Sequence, residues 1–432
     1  MPSQFHLLAE RRFLPFFLTQ FLGAFNDNVY KNALVVLITF QAAQLGAASP
    51  GVMVNLAAGL FILPFFLFSA TAGQLADKYE KSRLIRYTKL LEVAVMALAA
   101  VGFAHMSLPL LLLVLFLMGA QSALFGPVKY AIIPQQLADG ELMGGNALVE
   151  AATFVAILAG TLLGGLLVAG AGGPERVSVA VIALALLGWA ASVRIPPAAA
   201  ADPSLTVNWN PLTQTRDMIR FTLESRAVLM AIVGISWFWF YGALFLSQFP
   251  GFAADHLGGD ERLVTLLLAL FSVGIGAGSL LCGRLSAGRV EPRLVPLGAL
   301  GLTLFAVDLW WASPAAGALG AGQPLAVLLA REDVWRIVFD LVMIGVSGGF
   351  FIVPLYALMQ QRSASAHRAR IVAGNNILNA LFMVAAAAMG AGLLATGLAV
   401  PQLFLVTALL NVLVAGLLFT LEPVFRQRGG FP

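Results

Sequence analysis

Apolar residues in this chain neither alternate with polar ones nor form narrow helical stripes. They come in long unbroken runs separated by short charged segments. A helix needs roughly 20 apolar residues to cross the hydrocarbon core of a bilayer. Twelve such runs fall at about 13–40, 51–76, 84–105, 108–131, 144–170, 177–195, 227–254, 263–285, 293–313, 335–360, 371–398 and 401–421. Only helices and closed barrels satisfy their backbone in lipid, and these runs lack the two-residue alternation of a barrel. The pattern predicts an all-α polytopic membrane protein with twelve transmembrane helices. The longest polar stretch divides six runs from six, predicting an N-terminal six-helix bundle over 1–195, a linker over 196–226 and a C-terminal six-helix bundle over 227–432. The linker opens Pro196-Pro-Ala-Ala-Ala-Ala201 and continues as Gln214-Thr-Arg-Asp-Met-Ile-Arg-Phe221, which suits an amphipathic helix lying on a membrane surface. It reads as a connector between halves, with a regulatory segment as the alternative.

Composition sharpens this picture: 60% of the 432 residues are hydrophobic and 11% charged, which excludes a soluble protein of this length. Of the 25 Lys and Arg residues, only Arg176, Arg262, Arg331 and Arg336 fall in loops on one side, and Lys31 lies within helix one. The remainder, among them Arg11, Arg12, Lys78, Lys81, Arg83, Arg86, Arg216, Arg220, Arg284, Arg289, Arg368, Arg370, Arg426 and Arg428, fall to the side of the termini. That asymmetry predicts both termini in the cytoplasm. It also accounts for the net charge of +4 without a nucleic-acid partner. No small-residue cleavage site follows the first apolar run, so helix one is expected to be a retained span. The single Cys282 excludes an intrachain disulfide.

The two halves echo each other. Gly145-Asn-Ala-Leu-Val-Glu-Ala151 opens helix five and Gly374-Asn-Asn-Ile-Leu-Asn-Ala380 opens helix eleven; Pro127-Val-Lys-Tyr-Ala131 ends helix four and Pro354-Leu-Tyr-Ala357 ends helix ten. Gly73-Gln-Leu-Ala-Asp77 after helix two is echoed by Gly283-Arg-Leu-Ser-Ala287 after helix eight. Three matches in order argue for duplication, and parallel six-span halves place a substrate between them near the midplane. Gly73-Gln-Leu-Ala-Asp-Lys-Tyr-Glu-Lys-Ser-Arg83 resembles the signature between helices two and three of the major facilitator superfamily, departing from it at Glu80 and Ser82. The resemblance implies that fold, with Gly73, Asp77, Lys78 and Arg83 in a structural or gating role. A carboxylate at Asp77 suits a basic neighbour or a helix N-terminus.

The costliest residues lie in helix one. Asp27 near mid-membrane costs about 3 kcal/mol on insertion scales, so it is expected to face a protein interior or a water-filled cavity. Gln20, Gly23, Asp27 and Lys31 share one helical face, with Asn28 beside them. Either Asp27 and Lys31 neutralise each other as an internal pair, or Asp27 holds a substrate ammonium or carries a proton. Lys129 at the end of helix four either pairs with Glu150 or meets a phosphate as a point charge. Asn146 shares a face with Glu150. Asn375, Asn376 and Asn379 either bond across the cavity or join helices. Among the other buried acids, Asp340 has Arg336 four residues earlier, whereas Glu92 shows no evident partner. The aromatic run Trp237-Phe-Trp-Phe-Tyr241 is either packing or an apolar ligand wall. Charge is concentrated in the first half: Lys129 has no basic counterpart in Val353-Pro-Leu-Tyr356, and Leu246 stands where helix one has Asp27.

Gln20-Phe-Leu-Gly-Ala-Phe-Asn-Asp-Asn28, Phe125-Gly-Pro-Val-Lys-Tyr130, Gly144-Gly-Asn-Ala-Leu-Val-Glu150 and Ile157-Leu-Ala-Gly-Thr-Leu-Leu-Gly-Gly165 together resemble the bacterial lysophospholipid transporters, and more closely the transporter portion of fused transporter–acyltransferase proteins. The resemblance implies movement of lysophospholipids, typically lysophosphatidylethanolamine, from the outer to the inner leaflet of the bacterial inner membrane, where an acyltransferase partner re-acylates them. Asp27 and Lys129 match charged positions of that pattern, and Asn26 departs from it. The block Asp27, Asn28, Lys31, Lys129, Asn146, Glu150 and Asn379 is the expected substrate site. No cofactor or metal is expected, the porter is expected to be a monomer among membrane lipids, and no fused enzyme is expected. No His is followed five residues on by Asp, and no Gly-Lys-Ser/Thr motif cradles a phosphate, so neither an enzyme nor direct ATP drive is expected. The rivals are a proton-coupled drug or small-metabolite exporter, which usually carries Gly-Pro in helix five, and a non-transporting membrane scaffold. Helix five here reads Gly160-Thr-Leu-Leu-Gly164.

Overall fold

Why the predicted runs become helices is visible at their ends. In the computed structural model, which describes residues 3–41, 45, 49–223, 225–320 and 322–425, the long helices are α1 Leu14–Phe40, α2 Pro50–Lys78, α3 Lys81–Ala104, α4 Leu108–Gln136, α5 Leu142–Val168 and α6 Gly173–Val193, then α7 Arg226–Gly251, α8 Glu261–Leu285, α9 Leu294–Ala312, α10 Glu332–Arg362, α11 Arg368–Ala395 and α12 Val400–Leu421. Arg426 and Arg428 lie outside the described residues, as does the end of the predicted 227–432 unit. Proline opens α1, α2, α4, α6 and α12, where its missing N–H costs nothing. The Asp260 side chain accepts from the Arg262 and Leu263 amides at the start of α8. Several helices overrun the apolar runs by a turn, as at Lys81 and Glu332, because charged ends can leave the lipid while the helix continues.

Among the described residues, eleven helices are long and apolar enough to cross a membrane. The helix outside that count is α1. It is 27 residues long, and Asn26, Asp27, Asn28, Lys31 and Asn32 dilute its apolar character. The chain is a multi-pass membrane protein.

Helices α1–α6 pack among themselves, as do α7–α12. The two groups meet where α2 and α4 touch α11, and where α5 touches α8 and α10. Burial is graded along these helices. Residues 142–154 of α5 and 347–360 of α10 are buried without interruption, and both stretches lie at the end of the bundle that carries the chain termini. At the opposite end α2 exposes Val52 and Leu56, and α11 exposes Val384 and Leu394. The hydrogen bonds and ring stack that join the two groups gather at the terminal face, the closed face of the bundle.

The linker is built onto this closed face. Its amphipathic helix spans Pro211–Leu223, somewhat longer than the sequence pattern, and packs on α2 and α11. Upstream, the Gln74 side chain and Asn208 backbone exchange hydrogen bonds of 2.9 and 2.8 Å. Glu80, which departs from the superfamily signature, has a local purpose. It caps α3 by accepting from the Ser82 and Arg83 amides at 2.9 and 2.8 Å, and it holds the linker through the Ala198 amide at 2.7 Å. Burial works against its charge, but these donors prevail and hold Glu80 below the usual glutamate range. Glu80→Ala should therefore cost about 1 kcal/mol at neutral pH, the usual worth of a helix cap. A carboxylate with a lowered folded-state pKa stabilises above its unfolded pKa and stops doing so as pH falls through the folded one. Thermal melts of wild type and variant should thus converge below about pH 4; a pH-independent gap would show that the cap acts without its charge.

Candidate functional site

The interior of the first six helices holds an unusual density of charge, partitioned into two kinds. One kind is fully buried and satisfied. Lys89 and Glu92 on α3 are each 1% exposed and pair at 2.6 Å. Glu92 also accepts from Asn26 Nδ2 at 3.0 Å and Gln121 Nε2 at 3.2 Å, and the Lys89 ammonium lies 4.9 Å from the centre of the Phe125 ring. Gly23 leaves room on α1, since a side chain there would strike the Lys89 ammonium. Glu92, without a partner in the sequence pattern, has one three residues away. Asn26, the departure in the family pattern, turns inward to hold Glu92.

The other kind is half-buried and unpaired. Asp27 Oδ2 accepts from the Ser122 hydroxyl at 2.9 Å, and its Oδ1 has no partner. Lys31 points its ammonium over the Phe61 ring, 4.5 Å from the centroid. Among the described residues, no ion pair within 4.0 Å joins Asp27 to Lys31, though each charge lies near enough to favour the other. Lys129 donates to the Thr153 hydroxyl at 3.2 Å and forms no ion pair within 4.0 Å. Glu150, fully buried, instead accepts from the Tyr130 hydroxyl at 2.8 Å. Direct Lys129–Glu150 contact, one of the two alternatives for that lysine, is therefore not made within 4.0 Å among the described residues. Asp27, Lys31, Ser122 and Lys129 are each only partly buried, although the unpartnered Asp27 Oδ1 is itself enclosed.

Other members of the expected site lie elsewhere. Asn28 turns back onto the Ala24 carbonyl at 2.7 Å. Asn146 and Gln360 exchange side-chain hydrogen bonds of 2.7 and 3.0 Å between α5 and α10, at the closed face. Asn379 accepts from Ser236 at 2.8 Å, joining α11 to α7. Asn375 is fully buried beside Tyr356 of α10. The aromatic run of α7 is mostly packing: Trp237 donates to Asn411 and Tyr241 to the Leu302 carbonyl. Only Trp239 is half-buried, donating to the Tyr356 hydroxyl at 3.2 Å. On the far side of the second group, Arg336 does not pair with Asp340; its guanidinium reaches Asp308 of α9 in a two-point contact. Asp340 is buried beside the Asp308 carboxylate.

The signature residues sit at the closed face. Asp77 is fully buried; its Oδ1 accepts from the Ala369 amide at 3.1 Å and its Oδ2 from the Arg370 amide at 3.3 Å and side chain at 3.0 Å. It thereby holds both the first turn of α11 and that turn's cation. Gly73 permits the approach, because a side chain there would sit 2.9 Å from the Arg370 Cα. Tyr130 of α4 stacks on Tyr356 of α10 with centroids 4.3 Å apart. Lys78 lies near the Tyr79 ring and Arg83 is exposed, so neither takes part in this contact.

Comparison with known proteins places this arrangement. A lysophospholipid transporter LplT of Serratia proteamaculans (strain 568) is 27% identical over 86% of this chain and 84% of its own. The transporter of that name from Escherichia coli (strain SE11) is 29% identical, over 83% and 81%. Among solved structures, a bacterial homologue of the iron transporter ferroportin superposes with a TM-score of 0.70 at 14% identity, covering 94% of this chain and 98% of that one, a likeness of fold alone. Residues 16–381 match the family model of the Major Facilitator Superfamily, and with helices, signature and closed face in agreement, the chain belongs to that superfamily.

Proposed function

We propose that this protein moves lysophospholipids of the phosphatidylethanolamine type across the bacterial inner membrane, from the outer to the inner leaflet, by alternating access. The observation that carries this reading is the pair of opposite charges, Asp27 and Lys129, left without direct ionic partners in partly buried positions within the first six helices. A zwitterionic headgroup supplies what each lacks: an ammonium for Asp27 and a phosphate for Lys129. The relatives named lysophospholipid transporters support the same substrate class. The charge asymmetry of the loops supports termini in the cytoplasm, so the closed face is the cytoplasmic one and the site is reached from outside.

In this mechanism the units 1–195 and 227–432 rock about the linker 196–226. Asp77, the Asn146–Gln360 pair and the Tyr130–Tyr356 stack release as the headgroup is carried inward; Gly73 belongs to the same gate, and Lys78 and Arg83 flank it. Lys31 lines the path, Asn28, Glu150 and Asn379 hold its helices through Ala24, Tyr130 and Ser236, and the acyl chain lies along apolar walls including Trp239. The chain acts as a monomeric porter rather than an enzyme, and an acyltransferase partner consumes the delivered lipid. A proton-coupled exporter has less support, since α5 contains no proline.

Proteoliposomes test the assignment. Labelled lysophosphatidylethanolamine should enter those containing wild-type protein well above empty vesicles, and Lys129→Met should cut the rate about tenfold, a loss of roughly 1.4 kcal/mol. No uptake by folded, correctly oriented protein would reject the substrate class, and an unchanged rate in Lys129→Met would reject the phosphate site.

A further inference from the structure

The two seams of the closed face are locked by different chemistry. At the α2–α11 seam the lock is Asp77 on the start of α11. The internal repeat aligns Gly73 with Gly283 and Asp77 with Ala287, so the α5–α8 seam lacks the carboxylate. Something else fills its place. The segment Gln4–Ala9 forms a short helix ahead of α1, and Gln4 reaches across the seam to donate to the Leu280 carbonyl of α8 at 3.0 Å.

The glycines at this seam are shaped to Gln4. A Cβ on Gly144 of α5 would lie 3.0 Å from the Gln4 Cβ, and one on Gly283 of α8 would lie 3.1 Å from the Gln4 Cδ. The repeat aligns Gly144 with Ala373, whose methyl packs against Gly73 at the other seam. Where the second half of the repeat keeps a methyl, the first half drops it and Gln4 occupies the space. The segment is anchored on the side of the first six helices. Leu7 is buried, His6 Nε2 lies 3.5 Å from Glu141, and Glu141 takes two hydrogen bonds of 2.7 and 2.6 Å from Arg12. Its polar hold on α8, among the described residues, is a single neutral hydrogen bond, with packing of Gln4 on Gly283 beside it. Beside it lies a cavity of about 700 Å³, bounded by Gln4, Phe5 and Leu7 on one wall and Leu280, Gly283 and Arg284 on the other. The segment can therefore leave α8 without displacing packed neighbours.

We propose that residues 3–9 are a latch on the α5–α8 seam, travelling with the first six helices and releasing α8 whenever the terminal face opens. Gln4 does with an amide what Asp77 does with a carboxylate at the other seam. The proposal rests on alternating access and not on the identity of the lipid.

Thiol labelling tests it without any substrate. In a Cys282→Ser background, Ala147→Cys reports the seam, because Ala147 is fully buried and faces Gly283. Ala185→Cys, buried within the first six helices, reports general loosening. Gln4→Ala should raise labelling at position 147 by a membrane-impermeant reagent roughly fivefold, the shift expected from losing one hydrogen bond, and leave position 185 unchanged. No rise at 147, or an equal rise at both positions, overturns the latch. A second arm uses uptake of lysophosphatidylethanolamine. Joining Gln4→Cys to Leu280→Cys with a short thiol crosslinker should stop transport, whereas joining Gln4→Cys to Gly144→Cys should not. Undiminished uptake with the first link overturns the proposal, and failure of the lipid assignment itself leaves the labelling arm intact.

Discussion

Asp27→Asn should lower lysophosphatidylethanolamine uptake about 100-fold while leaving the fold intact. The two side chains are nearly isosteric, and the Ser122 hydroxyl that donates to Asp27 Oδ2 at 2.9 Å can donate to an amide oxygen instead. What disappears is a negative charge whose Oδ1 is enclosed without a partner. Removing one partner of a desolvated charge pair costs about 2–5 kcal/mol, and a loss near 2.8 kcal/mol is a factor of about 100. Folding should not suffer, because Asp27 stabilises no cation through an ion pair and an amide is cheaper than a carboxylate within a span. Uptake into proteoliposomes, with a thermal melt of the same preparation, separates the two effects. Normal uptake would remove Asp27 from the headgroup site. Lost uptake with a lowered melting temperature would make Asp27 structural. Running the assay with and without a pH gradient adds whether transport is coupled to protons.

What the sequence disclosed and what it hid follow from the range of each interaction. The apolar runs located all twelve long helices, because lipid imposes a length and composition that no packing detail overrides. Asp77 was legible for a similar reason: a carboxylate at a helix end beside a loop has few neighbours to choose from. Charges deeper in the bundle had more choices. Arg336 had Asp340 one turn away on its own helix, yet its guanidinium reaches across to Asp308, where the planar fork makes two contacts. Lys129 had Glu150 across a short loop, yet Tyr130 took that carboxylate. The Lys89–Glu92 pair was readable as opposite charges three residues apart on one helix. It is masked because Lys89 also fits the run of cations toward the terminal side. Asn146 and Gln360, 214 positions apart, leave no local trace, and neither does the hydrogen bond from Gln4 to α8.

Glu92→Ala should be among the most damaging single changes to stability. Lys89 and Glu92 are both about 1% exposed, and the variant would strand the ammonium with little but the face of Phe125 for company. Breaking a buried pair from one side costs about 3–5 kcal/mol. Asn26 Nδ2 would lose its acceptor as well, adding about 1–3 kcal/mol for a buried donor left unmade. A net stability of about 5–15 kcal/mol is typical of folded proteins, so the yield of folded protein and its melting temperature in detergent should both fall sharply. The double variant Lys89→Leu with Glu92→Leu removes both charges and should recover much of that loss, since replacing a buried pair with apolar residues is often close to neutral. A single variant as stable as wild type would show that the pair contributes nothing to the fold. A double variant that regains stability but not uptake would make Lys89 and Glu92 part of the transport machinery, giving Asp27 a charged neighbour to exchange partners with. Recovery of both would leave Asp27 and Lys129 as the charges that meet the lipid.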